Sequence, residues 1–305
     1  MERLILDCDT GQDDAIAILM AHGAKNLAVE GIVAVAGNTT LENALENTLK
    51  LTEDIDFNVP VYTGSRGPLI RKQIVASAIH GESGYDGPVF TKKRIKKSCG
   101  NGIDFIINTI MQNPGEINLV ATGPLTDIAI AIKKEPKIIT SVKRLIIMGG
   151  SLSKGNVTPS AEFNIYADPE AAKIVFNCGI EIYMMGLDVT KQTIVSKDFM
   201  QKCIVKQKEK PSRSRQVFID GMNFYIASCM KAIREAPSMH DPCCIAFLIN
   251  PSLFSFEKHL IDVETKGELT YGETVDLGIN ENSNIHVGIK VDTKQFFELL
   301  FQSLQ

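Results

Sequence analysis

Short runs of aliphatic and β-branched residues alternate along the chain with segments whose apolar positions recur every three to four residues. That alternation predicts a mostly parallel sheet covered by helices, an α/β fold. The strand candidates are Leu4 to Cys8, Val29 to Ala36, Val59 to Thr63, Ile117 to Thr122, Leu145 to Met148 and Ile180 to Met185. A helix is expected over Ala15 to His22. Another carries Leu41, Ala44, Leu45, Thr48, Leu49 and Thr52 behind Thr39-x-x-Glu42, which has the form of a capping box. Asp168-Pro169 predicts a third start, the aspartate capping free amides and the proline suiting the first helical position. Further on, the pattern predicts a largely polar-faced helix from Pro211 to Arg234 and an apolar helix after His240-Asp241-Pro242, running through Leu248. Short strands then follow from Leu260 to Val291, and a closing helix from Thr293 to Leu304. No repeat or low-complexity linker divides the chain, so residues 1–305 read as a single domain.

Two stretches are too long for compact connections: Gly64 to Asn101 and Gly149 to Ala167. They carry His80, Asn156, Glu162 and Asn164 and read as site loops.

Composition narrows the class. With 44% hydrophobic and 22% charged residues the chain is neither disordered nor membrane-embedded in character. No apolar run approaches the roughly 18 to 20 residues of a membrane helix, and the opening residues leave no room for a signal peptide, so a cytoplasmic protein is expected. The seven cysteines lack metal-ligand spacing and read as reduced, mostly buried small side chains. A net charge of −4 argues against a nucleic-acid partner. The basic run Lys92 to Lys97 reads as a solvated loop.

The chemistry concentrates in Asp7-Cys-Asp-Thr-Gly-Gln-Asp-Asp14, four carboxylates at the end of the first strand, where open α/β sheets bind ligands. One or two could cap the next helix. Four converging carboxylates repel one another unless a cation or raised pKa values compensate, and a hard divalent ion is the economical explanation. Asp7-x-Asp9-x-Thr also has the spacing of the haloacid-dehalogenase phosphatases. Those need a later Gly-Asp metal motif, and no Gly-Asp pair occurs here. His240-Asp241-Pro242 offers either a plain helix start or a proton donor beside a ligand.

Together with Ala36-Gly-Asn38, His80-Gly-Glu-Ser-Gly84, Ala121-Thr-Gly-Pro-Leu-Thr126, Met148-Gly-Gly150 and Ala161-Glu-Phe-Asn-Ile-Tyr-Ala-Asp-Pro-Glu-Ala171, these motifs resemble the inosine-uridine-preferring nucleoside hydrolases. The resemblance spans nearly the whole chain. It implies a Rossmann-like single domain, usually a homodimer or homotetramer, that cleaves the N-glycosidic bond of ribonucleosides with one Ca2+. By similarity, Asp9, Asp14, Asp241 and the carbonyl of Thr122 would hold the ion, and Asp9 would also be general base toward the water on it. Asp13, Asn38, Asn156, Glu162 and Asn164 would grip ribose; Met148 would belong to the same binding wall, and His80 and Phe163 would lie beside the base or sugar. His240 would assist the leaving base, and Asp241 would touch substrate as well as metal.

Asp7 is left with a supporting role, and Tyr225 is a candidate for the base. The stretch His80 to Pro88 looks more like the pyrimidine-preferring members, so uridine or cytidine is the expected substrate. The rival from another class is a catalytically silent ribonucleoside-binding protein on the same fold, which would need neither Asp9 nor His240.

Overall fold

A computed structural model describes residues 1–92 and 97–305, so most of the basic run Lys92 to Lys97 lies outside the described residues. Among the described residues, nine strands form one sheet: β1 (Glu2–Cys8), β2 (Leu27–Ala34), β3 (Val61–Thr63), β4 (Ile117–Ala121), β5 (Arg144–Met148), β6 (Ile182–Met185), β7 (Phe254–Val263), β8 (Thr274–Ile279) and β9 (Ile285–Val291). Their order is β3-β2-β1-β4-β5-β6-β9-β7-β8. Strands β3 to β9 in that order run parallel, and β7 and β8 add an antiparallel edge.

The continuous apolar character of the inner strands follows from burial on both faces. Successive side chains of β1 point to opposite sides. Leu4 and Leu6 pack with Val120 and Ile146 in one core, while Ile5 packs with Val33, Leu119 and Leu145 in the other. The first core is covered by the helices Gln12–Gly23, Arg213–Ala232, Pro242–Ile249 and Thr293–Ser303, the second by Gly102–Gln112, Thr126–Lys134 and Pro169–Phe176. Ile5 is fully buried, so Ile5→Ala would cost about 2–5 kcal/mol.

The strand order creates the site. From β1 the chain winds outward through β2 and β3, then returns to the other flank of β1 as β4. Connections leaving the carboxyl ends of β1 and β4 therefore diverge, and a crevice opens between them.

Three local expectations are corrected. The helix Leu41–Asp54 is capped by Thr40, whose hydroxyl accepts from Asn43 N; Thr39 Oγ1 instead accepts from the Asn43 side chain, and Glu42 pairs with Arg66, so no capping box forms. Strand β3 omits Val59 and Pro60, since proline has no N–H to give a ladder. The helix Arg213–Ala232 is amphipathic: Val217, Phe218, Met222, Tyr225 and Cys229 are buried along one side. The cap at Asp168 forms as expected, its carboxylate accepting from Ala171 N at 3.1 Å.

Candidate active site

A cavity of about 460 Å³ opens at the crevice between β1 and β4. The turn after β1 brings Asp9 to it, and the helix Gln12–Gly23 begins at Gly11 with Asp13 and Asp14 in its first turn, where the helix N-terminus favours negative charge. Asp14 is held from three sides. Its Oδ1 accepts from the Thr122 hydroxyl at 2.8 Å, and its Oδ2 accepts from Gly11 N at 2.9 Å and Asn38 Nδ2 at 3.4 Å. Asp9 Oδ2 accepts from Asn38 N at 2.5 Å. Gly37 permits that approach, because a Cβ there would sit 2.1 Å from the same oxygen.

The helix start at His240-Asp241-Pro242 contributes a fourth carboxylate. Asp241 makes no capping hydrogen bond, so the plain helix-start reading does not describe it. Instead, ligand oxygens of Asp13, Asp14 and Asp241 all lie within 4.8 Å of one another, and all three residues are buried. Burial pushes Asp13 up to about 8, aided by the Asp14 charge, and pushes Asp9 and Asp241 well above the usual carboxylate range. Asp9 Oδ1 and Asp13 Oδ1 have no hydrogen-bond partner. Among the described residues, no ion pair involves Asp7, Asp9, Asp13, Asp14 or Asp241. An all-oxygen set of buried, unanswered carboxylates fits a hard divalent cation and suits a soft one poorly.

Asp7 sits elsewhere. It is fully buried, does not line the cavity, and faces Asp127, whose charge follows desolvation among the causes that raise its pKa.

Asp13, Asn38, His80, Thr122, Met148, Asn156, Glu162, Phe163, Asn164, His240 and Asp241 all line the cavity, while Asp9 and Asp14 are not among its lining residues. Asn164 ties the wall together, donating to Thr122 O at 2.7 Å and Met148 O at 3.1 Å. Glu162 caps the short helix Phe163–Ala167, accepting from Asn164 N and Ile165 N, and also from Gly150 N; burial nevertheless pushes it up to about 7. Asn156 Oδ1 accepts from Phe163 N at 2.9 Å and so anchors the long loop to that helix.

The two histidines come from separate segments of the chain. His240 is held by Thr190, its Nδ1 2.8 Å from the hydroxyl, and burial followed by the Lys191 charge pushes it down to about 4. His80 ends the short helix Ser77–His80, stacks 5.8 Å from Tyr225, and is pushed down to about 3, chiefly by burial. Sequence reasoning missed further lining residues, among them Val75, Ala76, Ile79, Lys191, Cys229 and Ile233. They sit on loops, on the short helix Ser77–His80 or at the end of the long helix Arg213–Ala232, where no motif marks them. Gln12, clamped to His80, lay inside the acidic motif and carried a readable signal.

The fold and this acidic switch-point crevice together define an α/β protein with a cation-ready ligand site rather than a dinucleotide-binding protein, whose equivalent turn must accept phosphate. Residues 4–298 match the family described as inosine-uridine preferring nucleoside hydrolase. The chain is 42% identical over 304 residues to the pyrimidine-specific ribonucleoside hydrolase RihB of Escherichia coli, covering 98% of this chain and 95% of that protein. Among solved structures, the purine-preferring ribonucleoside hydrolase from Gardnerella vaginalis superposes with a TM-score of 0.89 at 30% identity, covering 99% of this chain and 98% of the other. The plant nucleoside hydrolase PpNRh1 gives 0.88 at 30% identity over the same shares. The chain belongs to the inosine-uridine preferring nucleoside hydrolase family, whose members are N-glycosidases. No helix among the described residues is long and apolar enough to cross a membrane.

Proposed function

We propose that this enzyme cleaves pyrimidine ribonucleosides to free base and ribose with Ca2+ as its resident ion. The observation that carries the reading is the buried, unpaired carboxylate cluster at the β1/β4 crevice, flanked by two neutral histidines. Asp9, Asp14, Asp241 and the carbonyl of Thr122 would hold the ion, which supplies positive charge to orient ribose hydroxyls and the attacking water. Asp9 suits the general base: Asn38 N anchors one oxygen, and the other has no partner and can take a proton.

Ribose is held by Asp13, Asn38, Asn156, Glu162 and Asn164, with Met148 and Phe163 as the apolar part of the wall. Charge that develops on the sugar as the bond breaks is stabilised by these carboxylates only in the transition state. The departing base needs a proton, and His240 assists it, oriented by Thr190. The pyrimidine preference rests on the 42% identity to RihB, against 30% to the purine-preferring relative. We place the enzyme in the cytoplasm, its seven cysteines free, as a homodimer or homotetramer acting on nucleosides and not on nucleic acid.

The test is ribose release from uridine, cytidine and inosine, with and without a calcium chelator. Release from the pyrimidine nucleosides that is lost with chelator and restored by Ca2+ is expected. An inosine preference above about tenfold would reject the substrate assignment, and nucleoside binding with Ca2+ supplied but no ribose release would make the chain a binding protein.

A further inference from the structure

Gln12 is buried between the glycine of the turn and the first aspartate of the helix, and its side chain points away from the carboxylates toward His80. Its Oε1 lies 2.6 Å from His80 Nδ1. Its Nε2 donates to His80 O at 3.2 Å and to Asp86 O at 3.1 Å. The two carbonyls decide which end of the amide is which. Reversing it would set the amide oxygen against two carbonyl oxygens and leave its nitrogen facing the ring. An amide oxygen can only accept, so the hydrogen in the 2.6 Å contact belongs to Nδ1. Gln12 N also approaches Nδ1, at 3.4 Å, but that longer contact cannot compete with the short one.

A neutral imidazole carries one ring proton. Burial keeps the ring neutral, pushing it down to about 3. With Nδ1 protonated, Nε2 is a bare lone pair. It has no protein partner among the described residues, and the ring lines the cavity. Gly11 makes room for this arrangement, since a Cβ there would sit 2.5 Å from His80 Nδ1.

We infer that Gln12 is a positioning residue that locks His80 in the Nδ1–H tautomer, so that His80 meets the substrate only as a hydrogen-bond acceptor, for an O–H or N–H donor of the nucleoside. The two histidines then divide the work: His80 receives a hydrogen bond from substrate and His240 delivers one. The inference rests on the proposed nucleoside chemistry for its substrate half and on protein geometry alone for its tautomer half.

Long-range proton–nitrogen spectra of the protein labelled with ¹⁵N-histidine read the tautomer directly, His80 being assigned by its absence in His80→Phe. A bare Nε2 and a protonated Nδ1 are expected in the wild type, and the reverse would overturn the inference whether or not Gln12→Met folds. In Gln12→Met, which keeps the length and loses the acceptor, the His80 signals should move toward the other tautomer. Its kcat/KM should fall about five- to tenfold, mainly through KM; unchanged signals and kinetics would overturn it. The donor is identified with 5′-deoxyuridine, which lacks the 5′ hydroxyl of the sugar, and 3-methyluridine, which lacks the base N–H. One of them should lose kcat/KM on the wild type but not on His80→Phe. Equal losses on both proteins for both analogues would overturn the substrate half. A wild type with the expected spectrum that releases ribose from no nucleoside would support the tautomer half while failing the hydrolase reading.

Discussion

Asp54 and Asp13 are both buried aspartates on helices of the same face, and their carboxylates behave in opposite ways. Asp54 Oδ1 accepts from Thr91 N, Thr91 Oγ1 and Lys92 N at 2.8, 2.9 and 3.1 Å, and Oδ2 pairs with Arg213. Burial alone would raise its pKa, but these partners outweigh burial and lower it. Asp13 has an oxygen with no partner, and burial beside Asp14 pushes it up to about 8. Partners make much of the difference, and the deeper desolvation of Asp13 adds to it. Asp54 is finished by the fold and ties the loop at Thr91 to two helices. Asp13 and its neighbours are left unfinished, and an ion and a substrate complete them.

Substitutions should separate the finished from the unfinished set. Asp9→Ala should cut kcat at least about 10³-fold while the protein stays folded, because removing one of several mutually repelling carboxylates relieves the ion-free protein. Near-normal turnover of the purified, calcium-loaded variant would remove Asp9 as the base. Next in size, a chelator should abolish ribose release and lower Tm by several degrees, with Ca2+ restoring both, since an ion that binds only the folded state stabilises it; an unchanged Tm would detach the cluster from metal binding.

His240→Ala should lower kcat about 10²-fold. A loss under about tenfold on every nucleoside would place leaving-group assistance elsewhere. The smallest catalytic effect belongs to the finished aspartate: Asp54→Asn should leave kcat within about twofold and cost roughly 1–3 kcal/mol of stability, read by urea unfolding. Its sign with pH follows from the lowered folded pKa. The stabilisation is present above the unfolded value of about 3.9 and is lost as pH falls through the folded value. The gap in Tm between wild type and Asp54→Asn should therefore shrink from pH 7 to pH 3, and a constant gap would contradict the pairing.

Much of this was readable in the chain because it is local. Strands β1 to β6, the Asp168 cap and the closing helix follow from periodicity and from single residues at helix starts, whereas β7 begins at Phe254, ahead of the expected Leu260, and the helix Thr293–Ser303 ends one residue short of its expected bound. Where the reading slipped, two local solutions competed. Thr39 and Thr40 can both cap, and the choice of Thr40 accompanies Gln73 Nε2 donating to Thr39 O at 2.7 Å from a distant loop. The helix Arg213–Ala232 read as polar because its buried stripe mixes Ser214, Arg215 and Gly221 with its apolar residues, so its amphipathicity shows only when packed.

By itself the sequence determined the repertoire: four acidic residues after one strand, two histidines, an asparagine-rich loop, and a mostly parallel sheet to carry them. Which of those residues meet was decided by strand order. Placing β4 against β1 while β2 and β3 leave on the other side brings Thr122 and, through Asn164, the loop after β5 to the Asp9 turn. The packing of the helix Pro242–Ile249 on the helix Gln12–Gly23 brings Asp241 to Asp14. Such contacts join residues from 42 to more than two hundred positions apart, and no periodicity within a window of ten or twenty residues encodes them. The partners of a buried carboxylate, and therefore its charge and its use, are settled only when the tertiary structure closes.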